Sequence, residues 1–76
     1  MNAYVLMQTE VGKAGSVAQE CAQVTGVLKA DTVTAPYDVI LLAEARSVDE
    51  LGKLVAARIQ MVEGITRTLT CPVVKV

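Results

Sequence analysis

Residues 34 to 41, Thr-Ala-Pro-Tyr-Asp-Val-Ile-Leu, set an aromatic ring beside a carboxylate between two stretches that otherwise read as buried strand. Tyr37 is one of two aromatic residues in the chain, so its place at this junction is worth explaining. An ionised carboxylate accepts hydrogen bonds at both oxygens, and a phenol offers an apolar wall with one hydroxyl. The pair suits a small polar ligand. The structural alternative is that Pro36 fixes a turn, Asp38 takes up nearby backbone N–H groups and Tyr37 packs at a subunit contact.

Other reactive chemistry is sparse. The chain has no histidine, and its two cysteines, Cys21 and Cys71, form no CxxC pair, so a zinc ligand set is lacking. Both cysteines read as small hydrophobes in a reducing compartment. No serine–base constellation, glycine-rich phosphate loop or cation-flanked cysteine is visible, and Glu10, Glu44 and Glu63 make no acid–base pair. Neither an enzyme nor a bound cofactor is expected.

Charge narrows the partners. Seven Lys and Arg stand against eight Asp and Glu, and the cations are scattered through both halves. Neutralising several phosphates needs a basic cluster, so nucleic-acid binding by this chain alone is not expected. At 76 residues and 53% hydrophobic content, one small, well-packed domain fits. No apolar run reaches membrane-spanning length, and the start MNAYVLMQTE lacks a basic n-region, so a soluble cytoplasmic protein is expected.

The elements that must position Tyr37 and Asp38 follow from periodicity. Ala3 to Thr9 is a β-branched, apolar run of strand length. Ala14, Val17, Ala18, Cys21 and Val24 recur at spacings of three and four, the period of one helix face, with Gly26 as a C-cap. Val27 to Thr34 alternates as a second strand. Asp38 to Ala45 is a third, apolar on both faces.

Ser47 and Glu50 have capping-box spacing. They open a second helix whose buried stripe is Val48, Leu51, Val55, Ile59 and Val62, with Asp49, Lys53 and Gln60 facing water and Gly64 at its end. A last strand runs from Ile65 to about Val74, placing Ile65, Arg67, Leu69 and Cys71 on one side and Thr66, Thr68 and Thr70 on the other, with Pro72 marking an edge or bulge.

Val24-Thr25-Gly26-Val27 and Val62-Glu63-Gly64-Ile65 close two equivalent β-α-β units. Joined as βαββαβ, they predict an α+β, ferredoxin-like fold: a four-stranded antiparallel sheet with both helices on one face, because such crossovers are right-handed. The other face then carries apolar side chains from the Tyr4, Leu6, Ile40 and Leu42 set. A second copy stacked on it as a two-fold dimer would cover them.

The βαββαβ order, Thr34-Ala35-Pro36-Tyr37-Asp38, Val48-Asp49-Glu50-Leu51 and Val62-Glu63-Gly64-Ile65-Thr66-Arg67-Thr68 together resemble the effector-binding (RAM) domain of the Lrp/AsnC transcriptional regulators. The resemblance covers essentially residues 1–76. It implies a dimeric α/β barrel, higher oligomers built of dimers, a role in transcription regulation and free amino acids bound between dimers. Full-length members carry an N-terminal helix-turn-helix domain. Here Met1 precedes the first strand directly, which implies a stand-alone effector domain. The alternatives are a ligand-free assembly module forming mixed oligomers with full-length Lrp/AsnC relatives and, less favoured, a small dimeric α/β-barrel enzyme, since fold alone does not fix function.

The family's Gly-x-Tyr-Asp turn matches Ala35, Pro36, Tyr37 and Asp38, with Ala in the glycine's place. By the same resemblance, Thr66 and Thr68 line the pocket and donate to an α-carboxylate, while Asp38 accepts from an α-ammonium group. Alternating threonines are also simply good strand residues on a half-buried face.

Overall fold

The computed structural model describes residues 1–74. Its elements are β1 (Asn2–Thr9), α1 (Ala14–Ala22), β2 (Val27–Thr32), β3 (Val39–Glu44), α2 (Val48–Leu54) continued by a π-helical turn (Val55–Ile59), and β4 (Ile65–Pro72). The sheet is antiparallel in the order β2-β3-β1-β4, so β1 and β3 are central. This is the expected α+β, ferredoxin-like arrangement, with both helices against one face.

Alternation along the central strands divides the side chains. Ala3, Val5 and Met7 of β1 and Val39, Leu41 and Ala43 of β3 are buried against Val17 and Cys21 of α1 and Leu51, Val55 and Ile59 beyond β3. The opposite face carries two cross-strand rows, Leu42–Tyr4–Cys71 and Ile40–Leu6–Leu69. Tyr4 and Leu69 are each 47% exposed. At the β2 end these rows meet Lys29 and Asp31, whose charges pair at 3.5 Å.

The two edge strands depart from strict alternation. A register shift between Val27 and Lys29 leaves Leu28 bulged outward, so Val27 and Ala30, expected on opposite faces, both pack on the core. A second shift at Gln8/Thr9 opposite Thr66 turns Ile65 to the core, while Arg67, Leu69 and Cys71 stay on the other side. Both strands also end earlier than expected, at Thr32 and Pro72.

Ser47 caps α2, its hydroxyl accepting from the Glu50 N–H at 3.2 Å. The Glu50 carboxylate reaches back to the Arg46 N–H at 3.1 Å, one residue before the capping-box position. Val48 is the exception to the predicted stripe. It lies at the open β4 side of the first turn and is 64% exposed.

Leu51, Val55 and Ile59 are four residues apart, a spacing that creeps around a helix of 3.6 residues per turn. The wider π turn, closed by Gln60 N–H donating to the Val55 carbonyl at 2.8 Å, offsets that creep and returns Ile59 to full burial.

The helices end at Ala22 and Ile59, before the glycines expected to cap them. Gly26 and Gly64 instead shape the turns into β2 and β4 at φ +100° and +101°. At Gly64 a Cβ would lie 3.1 Å from Lys13 Cβ, and its carbonyl accepts from the Glu10 N–H at 2.8 Å. Gly64→Ala therefore combines strained φ with a close contact, and a loss of about 1–3 kcal/mol in urea unfolding is expected.

Candidate functional site

The Ala35–Asp38 turn hangs from the end of β1. Val33 N–H donates to the Asp38 carbonyl at 2.9 Å, and Asp38 N–H donates to the Met7 carbonyl at 2.9 Å. The Asp38 carboxylate accepts from Thr9 N–H through Oδ2 at 2.8 Å, and Gln8 Nε2 donates to the Pro36 carbonyl at 3.2 Å. Asp38 thus closes the gap where β1 runs past the start of β3, using a backbone donor that the ladder leaves free. Oδ1 holds no hydrogen bond among the described residues.

Ala35 and Pro36 are exposed across a cis peptide bond, while Tyr37 and Asp38 are half-buried. No described residue other than glycine has a positive φ, so the methyl group of Ala35 meets no backbone conflict.

Thr66 and Thr68 lie at the same end of the sheet, on the far side of β1. Thr68 pairs with Met7 and faces the helix layer, where its hydroxyl accepts from Gln60 Nε2 at 3.2 Å. Thr66 is exposed at the bulge. A cleft of about 380 Å3 is lined by Gln60, Ile65, Thr66, Arg67 and Thr68, and contains none of residues 35–38. With neighbouring strands about 4.8 Å apart, Asp38 and the threonine strand stand roughly 10 Å from each other. One protomer therefore brings the two groups to the same end without joining them in one cavity.

Sequence reasoning missed Gln8 and Gln60. Gln60 was expected only to face water, yet it spans from the helix end to Thr68. Its position depends on the π turn, which side-chain periodicity does not announce. Arg67 is exposed at the cleft. Among the described residues no group of three or more potential metal ligands occurs, and no helix is long and apolar enough to cross a membrane.

Neither cysteine joins the site. Cys21 is fully buried on the inner side of α1, whereas Cys71 is half-buried on the helix-free face. Burial, reinforced by the neighbouring Glu20 charge, pushes the Cys21 thiol from 9.0 to about 11.

A family model described as the Lrp/AsnC ligand binding domain matches residues 2–76. An uncharacterized HTH-type transcriptional regulator of Pyrococcus furiosus, PF0250, is 30% identical over 54 residues, 71% of this chain. That match spans only 36% of the relative's own length. The crystal structure of TTHA0845 from Thermus thermophilus superposes with TM-score 0.91 at 28% identity, covering 99% of this chain and 94% of that one. The transcriptional regulator NMB0573 of Neisseria meningitidis, solved as an L-Met complex, shares the fold at TM-score 0.84 and 17% identity, over 97% of this chain and 49% of that one.

Two measurements check the local assignments. Asp38→Ala should lower unfolding stability by about 1.5–3 kcal/mol through loss of a charge-assisted bond to Thr9, with Asp38→Asn recovering part of it. The folded pKa of Cys21 lies above its unfolded value, so its contribution to stability is complete below pH 9 and fades as pH rises toward 11. Urea midpoints followed across that window should fall in the wild type more steeply than in Cys21→Ala.

Proposed function

The chain belongs to the Lrp/AsnC ligand-binding domain family, and on that premise we propose that it is an amino-acid-binding and oligomerisation domain acting in transcription regulation. The observation that carries this reading is the Tyr37–Asp38 turn. One carboxylate oxygen is committed to Thr9, and the other is left to accept from a ligand's ammonium group. Tyr37 supplies the apolar wall, and Thr66, Thr68 and Arg67 across β1 supply hydroxyls and a cation for a carboxylate. The L-Met complex of the Neisseria regulator supports the ligand class.

Because one protomer holds the two groups apart, a working site forms between dimers, where one copy's turn can meet another's threonine strand. The rows containing Tyr4, Leu6, Ile40 and Leu42 supply the contact that makes the dimer itself. Burying a large apolar side chain fully is worth about 1.5–3 kcal/mol, so a sheet-to-sheet dimer gathers a substantial gross gain from these residues. Dimers then associate further, and the effect on DNA passes through full-length Lrp/AsnC relatives, since this sequence has no basic cluster to hold phosphates.

A second reading is a ligand-free assembly module. It is favoured by the bond from Asp38 to Thr9, which gives that carboxylate a structural task of its own.

A thermal-shift screen of the twenty amino acids separates the two. The sensor reading expects saturable stabilisation by one or a few of them, reaching about 2.7 kcal/mol at a hundredfold excess over Kd, and loss of the response in Asp38→Ala. No shift at millimolar ligand leaves the module. An unchanged response in Asp38→Ala removes that residue from the site. Light scattering should give a dimer or a multiple of dimers, with Leu42→Arg breaking the sheet-face contact.

A further inference from the structure

Helix α2 leaves an apolar groove on its outer flank. About 290 Å3 in volume, it runs between Val48, Gly52 and Ala56 on the helix and Thr70 and Pro72 on β4, with Leu51 in its floor. A side chain as apolar as Val48 would not be expected to stand 64% exposed beside it. Gly52 is equally unexplained by the protomer. Its φ is not positive, and a Cβ there would meet nothing within 4 Å, although glycine is disfavoured inside a helix. What the missing side chain does allow is close approach from outside.

Val48, Gly52 and Ala56 are spaced by four and form one ridge, of the kind that interdigitates with its like in the commonest helix crossing. Asp49 and Lys53 flank that ridge. Both are exposed, and among the described residues neither forms an ion pair. The ridge is therefore self-complementary in shape and in charge.

We infer that this groove is a second self-association surface, on which α2 of one copy crosses α2 of another about a two-fold axis through Gly52. Each Val48 then seats in the other copy's groove near Ala56, and Asp49 of each approaches Lys53 of the other. The surface lies in the helix layer, away from the helix-free face bearing Tyr4 and Leu42, so both contacts can form at once. Two isologous contacts on one protomer build closed tetramers or rings from dimers. The proposal rests on the sheet-face dimer only for the final size of the assembly.

Sedimentation velocity on the full chain across micromolar concentrations tests it. Wild type should exceed dimer mass, and Gly52→Arg should lower it to that of the dimer while circular dichroism and Tm show a folded protein. Asp49→Lys should weaken association roughly two- to fivefold per ion pair, and the double variant Asp49→Lys/Lys53→Asp should restore it. A dimer split by Gly52→Arg but untouched by Leu42→Arg keeps the α2 contact and removes the sheet-face dimer. The inference is overturned by a dimer that Leu42→Arg splits and Gly52→Arg leaves whole, by a monomeric wild type, or by a charge swap that fails to restore what the single change lost. Equal masses for wild type and both α2 variants would assign the groove to a different protein and overturn it as well.

Discussion

Each β-α-β crossover turns to the right, and because both units interleave through adjacent central strands, their helices have one side of the sheet to share. The consequence is written into β1 and β3, whose side chains are apolar in both directions. Odd positions of each strand find a core made by the helices, and even positions find none within the protomer. A folded subunit thus buries half of its two central strands and leaves the other half only partly covered. The edges carry safeguards of their own. Lys29 and Asp31 line one margin, both edge strands carry bulges, and Pro72 closes β4, all devices that discourage open-ended strand addition. Faces, rather than edges, are left as the surfaces through which copies can meet.

The same economy operates at the turn before β3. Asp38 serves the scaffold through Oδ2 while Oδ1 holds no hydrogen bond among the described residues, so under the proposed function the residue that anchors the turn to β1 is also the one that reads the ligand. Such sharing couples binding to order. A molecule that pulls on the free oxygen acts on the bond to Thr9, and through it on the register of β1 with β3. The two readings of Tyr37–Asp38 raised by the sequence are therefore compatible in one residue.

The fold was legible because its signals are redundant. Five helix-spaced apolar positions mark α1, an uninterrupted apolar run marks β3, a Ser–x–x–Glu box opens α2, and the two halves repeat. What failed was local. Alternation on β2 and β4 was read through bulges, which cost one residue and leave no compositional mark. Gly26 and Gly64 were assigned to helix ends because a C-cap and a later left-handed turn both call for glycine. Three-residue spacing from Leu51 fits Val48 to the buried stripe, whereas in the fold it borders the open groove beside Thr70 and Pro72 and stays exposed. The candidate site was legible as residue types and not as geometry. That Asp38 and Thr68 stand on opposite sides of β1 depends on strand order, which no spacing within either motif contains.

The wide turn at Val55–Ile59 indexes everything beyond it. Each residue of an α-helix advances the azimuth by roughly 100°, so the surplus residue held there rotates Gln60 by about that angle relative to an uninterrupted helix. The amide sits over the Thr68 hydroxyl at that setting. A one-residue deletion between 55 and 59 would yield a more regular helix and still leave Leu51 seated, yet swing the amide off the mouth of the threonine cleft. Helix winding and cleft geometry are one adjustment in this chain, because Gln60 reaches the Thr68 hydroxyl from the azimuth that the wide turn sets.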